Sequence, residues 1–323
     1  APAIFQCRDA KSCVSTTAST LNCRIAGARR EPLWQVSERL SPCPCSYKCI
    51  ITSVLPNNGQ PQVEAVVPLL TDDIGVVIPC YNEERRLQVD DFINELAKNP
   101  NLLLLFVNDG STDDTLKVIQ KICEANPSRA LCLSLDENKG KGEAVRMGML
   151  YLLEKKTCNI IGFWDADLSV SLSEISDFVN IFQTNPNIQV IIGSRVHLAG
   201  RKIERVNFRH YIGRLFATIM CLTFGFDIYD TQCGAKLFKS EVLIPVVQKP
   251  FFSRWIFDVE LIIRILRLSP SLPPFLQAKD DWLFEIPVKE WRNVSGTKRS
   301  IAAYINSFFD YITLVKKYCN LFG

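Results

Sequence analysis

Two acidic residues two positions apart, Asp165 and Asp167, follow directly on the apolar run Ile160-Ile161-Gly162-Phe163-Trp164. Carboxylates at i and i+2 can both turn toward one cation where the chain bends away from a strand. Their hard oxygens suit Mg2+ or Mn2+, and such an ion would bridge a diphosphate. A departing nucleoside diphosphate gains charge, which a divalent ion stabilises. By itself an Asp-x-Asp is also an ordinary polar turn, so its position after an apolar strand is what gives it weight. Tyr81-Asn82-Glu83 and Asp109 follow apolar runs in the same way.

Those groups need elements to position them. Residues 74–78 are a short β-branched run ended by Pro79 and predict a buried strand. Residues 87–96 predict a helix with Leu87, Phe92 and Leu96 on one face, and 102–107 predict a second strand running into Asn108-Asp109-Gly110-Ser111. A helix from about Asp113 presents Leu116, Ile119 and Ile122-Cys123. A strand at 130–135, a helix at 143–154 and a strand at 159–164 complete the regular part. Strands alternating with helices imply an α/β fold, a mostly parallel sheet with helices on both faces. Ligands of such sheets bind outside the carboxyl ends of the strands, so three loops would converge on one rim.

Three segments in order, Val77-Ile78-Pro79-Cys80-Tyr81-Asn82-Glu83-Glu84, Val107-Asn108-Asp109-Gly110-Ser111-Thr112-Asp113 and Asp165-Ala166-Asp167-Leu168-Ser169, resemble the successive signatures of family 2 glycosyltransferases with the GT-A fold. Later segments are similar to the polyprenyl-phosphate branch: Asn138-Lys139-Gly140-Lys141-Gly142, Gly193-Ser194-Arg195, Asp230-Thr231-Gln232-Cys233-Gly234-Ala235-Lys236, Arg254-Trp255-Ile256-Phe257-Asp258-Val259-Glu260 and Gly296-Thr297-Lys298. Within that branch, Gln-Cys-Gly-Ala-Lys and Arg-Trp-x-Phe-Asp-Val-Glu are most similar to the dolichyl-phosphate β-glucosyltransferases. The resemblance spans about residues 74 to 300.

The resemblance implies a GT-A, Rossmann-like nucleotide-diphospho-sugar transferase with a mostly parallel mixed sheet. It places Pro79, Tyr81 and Glu83 against the nucleoside, with Val107 in the same donor-binding set and Asp109 accepting from base or ribose. Asp165, Ala166 and Asp167 would form the metal and diphosphate turn, with Asp165 and Asp167 as the ligands of Mg2+ or Mn2+. Some relatives carry glutamine where this chain has Ser169; a hydroxyl or a water would have to substitute. Lys139 and Lys141 would contact phosphate or form an exposed basic turn, and Arg195 and Lys298 match positions that contact phosphate. The implied reaction is inverting transfer of glucose from UDP-glucose to dolichyl (polyprenyl) phosphate, giving a β-linked lipid phosphate. Because a phosphate acceptor is already anionic, it needs little help from a base. If a base acts, Asp230 and Asp258 are the candidates beside Asp167 and Arg195 in the catalytic set. Asp258 and Glu260 have a structural reading too. Alternatives are a GDP-mannose-dependent dolichyl-phosphate mannosyltransferase, a soluble family 2 enzyme with a saccharide acceptor, and a silent nucleotide-sugar-binding protein.

The remaining features set limits. A net charge of +3 does not argue for nucleic acid, although Arg195, Arg201, Lys202, Arg205, Arg209 and Arg214 stand against Glu204 alone. That stretch suits phosphates, an anionic membrane or plain solvent. Cys80, Cys123, Cys132, Cys158, Cys221, Cys233 and Cys319 are scattered among apolar residues and predict buried free thiols, as in a reducing compartment. Cys233 has no histidine near it in sequence to activate it as a nucleophile. Cys7, Cys13, Cys23, Cys43, Cys45 and Cys49 lack zinc-knuckle spacing and lie in residues 1–72, which predict an irregular extension. Residues 73–323 would be the transferase domain, 73–195 its nucleotide-sugar half and 196–323 its acceptor half. No run approaches the ~18–20 apolar residues of a span. The expected location is therefore the cytoplasmic side, soluble or peripheral on the endoplasmic reticulum or inner membrane. Residues 211–226 and 301–322 combine apolar and basic residues; either they lie in a membrane interface or they cover the sheet.

Overall fold

The computed structural model describes residues 73–156, 158–204, 207–268, 282–292, 294 and 301–319. The expected extension at 1–72, its six cysteines, and Lys298 with Gly296-Thr297 lie outside these residues.

The first half alternates as its sequence predicts: β1 (Ile74–Cys80), α1 (Val89–Lys98), β2 (Leu102–Asp109), α2 (Thr115–Ala125), β3 (Ala130–Leu135), α3 (Lys141–Lys155) and β4 (Ile160–Trp164). Then come α4 (Ile175–Thr184), β5 (Val190–Ser194), β6 (Lys202–Ile203), α5 (Asn207–Phe224), β7 (Ala235–Lys239) and α6 (Ser240–Leu243). The chain continues through α7 (Phe257–Leu268), β8 (Leu283–Pro287), β9 (Glu290–Trp291) and α8 (Ile301–Tyr318). Among the described residues, seven strands form one sheet in the order β3-β2-β1-β4-β7-β5-β8, and β6 pairs with β9 apart from it. β7 alone runs antiparallel to its neighbours in that sheet, so it is mixed and mostly parallel. Because β7 inserts between β4 and β5, the expected halves at 195 share one sheet.

Both faces are covered, which is why the central strands read as apolar runs rather than alternating ones. Val76 and Ile78 share one core with Phe92 and Leu96 of α1, Ile119 and Ile122 of α2, and Phe178 of α4. Val77, Leu105 and Val107 share the opposite core with Ala144, Val145 and Met149 of α3 and Leu261 and Ile262 of α7. Pro79 does not end β1; it pairs with Val107 of β2, while pairing to β4 stops at Val77. Its missing N–H therefore leaves no gap on the β4 side. Asn108 and Asp109 are likewise the end of β2, not a loop beyond it. The helix expected from Asp113 starts at Thr115, whose N–H donates to Asp113 Oδ1 at 3.1 Å.

Among the described residues of the two amphipathic segments near 211–226 and 301–322, Phe226 packs against the sheet-face core, while the helices themselves pack on α7. Met220 of α5 and Leu314 and Tyr318 of α8 pack on Val259 and Ile263 of α7. They leave Leu215, Ile219 and Leu222 of α5 and Phe308 and Phe309 of α8 exposed. Among the described residues no helix is long and apolar enough to cross a membrane.

Candidate active site

The carboxyl ends of β1, β2 and β4 meet where the sheet topology predicts a ligand site. A cavity of 650 Å³ is lined by Pro79, Cys80, Tyr81 and Glu83 from β1 and its loop, by Asp109 from β2, and by Asn138, Gly140, Lys141 and Ala144. Its remaining wall is Arg254, Trp255, Asn306, Phe309 and Asp310. Asp109 is buried and anchors the glycine-bounded loop: Oδ1 accepts the Lys139 N–H at 2.8 Å and Oδ2 the Gly140 N–H at 2.9 Å. Burial raises its pKa, against the lowering effect of those two bonds. Gly140 has φ +92°, which lets the loop turn into α3. Val107 does not join this wall; its side chain is fully buried beneath α3, because its place in β2 points it into the core.

Glu83 is fixed from two sides. Its N–H donates to Thr115 Oγ1 at 2.7 Å, and Arg86 Nη2 pairs with Oε1 at 2.6 Å. Its other oxygen, Oε2, is buried without a hydrogen-bond partner. Burial raises the Glu83 pKa to about 7, with Asp167 and Asp165 adding to the rise and Arg86 opposing it. Three carboxylates thus share one field at the rim.

The Asp165–Ser169 turn leaves β4 sharply. Leu168 takes a left-handed backbone with φ 49°, a conformation a branched residue adopts only when its surroundings impose it. Asp167 Oδ1 accepts the Ser169 N–H at 3.0 Å, Leu168 N donates to the Asp165 carbonyl at 3.1 Å, and Ala166 is buried between. Arg292 N holds the Ser169 carbonyl at 2.9 Å. Asp165 Oδ1 is paired with the Lys141 ammonium, so Lys141 faces the acidic turn, while Lys139 Nζ lies 3.8 Å from Glu137.

Among the described residues no group of three His, Cys, Asp or Glu side chains is arranged to hold a metal. Asp165 and Asp167 would supply two hard oxygens, leaving the rest of the shell to phosphate and water, as Mg2+ commonly has it. The ammonium on Asp165 marks a place where positive charge is favoured. The donor set fits a divalent ion on those terms.

The other expected site residues are held by internal partners. Arg195 grips Asp230 with two parallel bonds, Nε to Oδ2 at 2.6 Å and Nη2 to Oδ1 at 2.7 Å, and adds its own N–H to Oδ2 at 3.0 Å. Burial pulls the Arg195 pKa down, yet the Asp230 carboxylate outweighs it and the net shift is upward. Glu285 caps the same turn by accepting Tyr229 N and Asp230 N, both at 2.7 Å. Arg214 stacks on Tyr229 and donates to its carbonyl. Arg195 and Arg214 are therefore committed inside the fold and do not belong to an open basic patch; Arg205 and the side chain of Arg209 lie outside the described residues. Asp258 is ion-paired to Lys236 at 3.0 Å and is not on the cavity wall. Glu260 accepts Phe252 N, Ser253 N, Arg264 and Tyr318. Cys233 is fully buried, and burial pushes its thiol up to about 12, which does not suit a nucleophile. Of the seven described cysteines, Cys80, Cys123, Cys158 and Cys233 are buried thiols, and Cys132, Cys221 and Cys319 are only half-buried.

The far wall was not read from the sequence as part of the site. Asp310 of α8 accepts Ser253 Oγ at 2.8 Å, Arg254 N at 3.1 Å and Trp255 N at 2.9 Å, and so ties α8 to the turn before α7. The segment Arg254-Trp255 stood out as a motif without a role, and α8 carries no local signal for a partner so far along the chain.

Comparison with known proteins agrees with this geometry. The profile of glycosyl transferase family 2 matches residues 75–246. The dolichyl-phosphate beta-glucosyltransferase of Saccharomyces cerevisiae is 31% identical over 274 residues, covering 78% of this chain and 75% of the yeast protein. That of Homo sapiens is 32% identical, covering 71% of this chain and 70% of the human protein. Among solved structures, glucosyl-3-phosphoglycerate synthase from Mycobacterium tuberculosis, in complex with phosphoglyceric acid, superposes with TM-score 0.52 at 20% identity, covering 76% of this chain and 80% of that one. The same enzyme with Mn2+, UDP-glucose and phosphoglyceric acid gives 0.51 at 20%, covering 76% and 79%. The rim of acidic loops, the mixed sheet behind it and these matches identify the chain as a glycosyltransferase that belongs to glycosyl transferase family 2.

Proposed function

We propose that this chain transfers glucose from UDP-glucose to dolichyl or another polyprenyl phosphate, with inversion, so that the product is a β-linked lipid phosphate. The observation that carries the reading is a cavity lined by Glu83, Asp109 and Lys141, with the Asp165–Asp167 turn joined to it through the Lys141–Asp165 ion pair, in a chain whose relatives are dolichyl-phosphate beta-glucosyltransferases. The nucleoside lies along Pro79, Tyr81 and Glu83, with Asp109 bracing the loop of Lys139 and Lys141 against it. Asp165 and Asp167 hold Mg2+ or Mn2+, which, when bound, stabilises the charge on the departing diphosphate. The acceptor phosphate is already anionic, so the protein's task is to hold two anions in line rather than to remove a proton. Arg195, kept rigid by Asp230, supplies fixed positive charge within electrostatic reach of Asp165. Lys298 matches a phosphate-contacting position and belongs to the same proposal. The exposed faces of α5 and α8 rest on the membrane that holds the acceptor, as a peripheral contact.

The test incubates the protein with Mg2+ or Mn2+, labelled UDP-glucose or GDP-mannose, and a short polyprenyl phosphate. Lipid-soluble label from UDP-glucose is the expected result. Label from GDP-mannose alone would replace the donor, and none from either would leave a soluble acceptor or a silent protein.

A further inference from the structure

Lys236 in β7 is fully buried, a costly place for an ammonium. It donates to Asp258 Oδ2 at 3.0 Å and to the Cys233 carbonyl at 2.7 Å. Its Nζ also lies 5.3 Å from the centre of the Phe163 ring, two residues before Asp165 on β4. The peptide it grips leads into Gly234, whose carbonyl accepts the Asp165 N–H at 2.9 Å. A Cβ added to Gly234 would fall onto the Asp165 carboxylate, overlapping its carbon and both oxygens. The Asp165 side chain therefore lies against bare backbone, and that backbone is pinned by a buried ion pair. Stability alone is a poor reason to keep such a pair, because apolar residues of similar volume often do as well.

We propose that Lys236 and Asp258 are positioning residues for Asp165: through the Cys233 carbonyl they fix the Gly234 backbone, and Gly234 leaves the space the carboxylate needs to face a divalent cation. This rests on the reading of Asp165 as a cation ligand. It gives Asp258 a task other than that of a general base, and it accounts for Gln232-Cys233-Gly234-Ala235-Lys236 without a thiol nucleophile.

Two variants test it: Gly234→Ala, which keeps the ion pair, and the double variant Lys236→Met with Asp258→Leu, which replaces charge by apolar volume. Mn2+ binding to the protein without substrate is read by electron paramagnetic resonance, alongside far-UV circular dichroism and melting. Both variants are expected to keep the fold and to bind Mn2+ at least about tenfold more weakly than wild type. Turnover should fall as well, and excess Mn2+ should partly restore it. Wild-type Mn2+ affinity in either folded variant would overturn the proposal, and where the double variant fails to fold, Asp258→Asn is read in its place with the same expectation. A wild-type protein that binds no Mn2+ would instead overturn the assignment of Asp165 as a ligand.

Discussion

Two groups of charges, one around Asp165 before β5 and one around Lys236 and Glu260 after it, are held in opposite ways. Before it, Asp165 keeps 31% of its side-chain surface and its Lys141 partner 44%, beside a Glu83 oxygen with no partner at all. After it, Lys236 and Glu260 are completely enclosed and each is matched by several hydrogen bonds. Charges that must meet a changing ligand stay partly wet and incompletely paired. Charges that must not move are buried and hydrogen-bonded on more than one side, which makes them expensive to disturb. On the proposed reading, the Asp165 group performs the chemistry and the Lys236 group aims it.

Removing one carboxylate from the Asp165 group should have the largest effect. Asp167→Ala is expected to lower turnover by at least about a hundredfold with an unchanged melting temperature. A large loss of stability instead would place Asp167 among the braces. The reverse pattern is expected at Glu260→Ala, which strands Arg264 and two backbone N–H groups and should cost about 3 kcal/mol or more of stability. Lys141→Met, by contrast, should cost no more than about 1 kcal/mol because its ion pair is half in solvent, while weakening donor binding. Urea melts of the two variants would show whether the contrast holds.

A smaller effect follows from Glu83. Its pKa of about 7 lies above the ordinary 4.5, so folding takes up a proton between those values. Its contribution favours the folded state at the acid end and is lost as pH rises through about 7. In chelated protein, Glu83→Gln should therefore melt higher than wild type at pH 8, and the gap should close toward pH 5. A gap independent of pH would contradict the burial argument. The smallest change in stability is expected at Leu222, which is 82% exposed on α5. Leu222→Glu should shift stability by no more than about 0.5 kcal/mol yet reduce sedimentation with anionic liposomes. Unchanged sedimentation would remove α5 from the membrane contact.

Much of the chain before β5 was legible because its signals are local. Apolar runs such as Leu102–Asp109, ended by polar residues, mark both a strand and the rim where it stops. The boundaries shifted where side chains intervene, as at Asp113 capping Thr115 and at Pro79, whose place past the β4 pairing no spacing reveals. After β5 the motifs were visible but their partners were not. Lys236 with Asp258, Arg195 with Asp230 and Asp310 with Arg254 are joined across 22, 35 and 56 positions. Such pairs appear only after the chain has folded and brought distant elements together. Val107 shows the limit of a resemblance: the position matched, but the strand turns its side chain into the core.

The central claim is that the Asp165–Asp167 turn is where a divalent cation and the donor's diphosphate meet. The most direct test is a crystal grown with Mn2+ and UDP, with the metal located by its anomalous scattering. The predicted peak lies within ligand distance of both carboxylates, with the Lys141 ammonium moved off Asp165. A peak elsewhere, with Lys141 still paired to Asp165, would contradict the account.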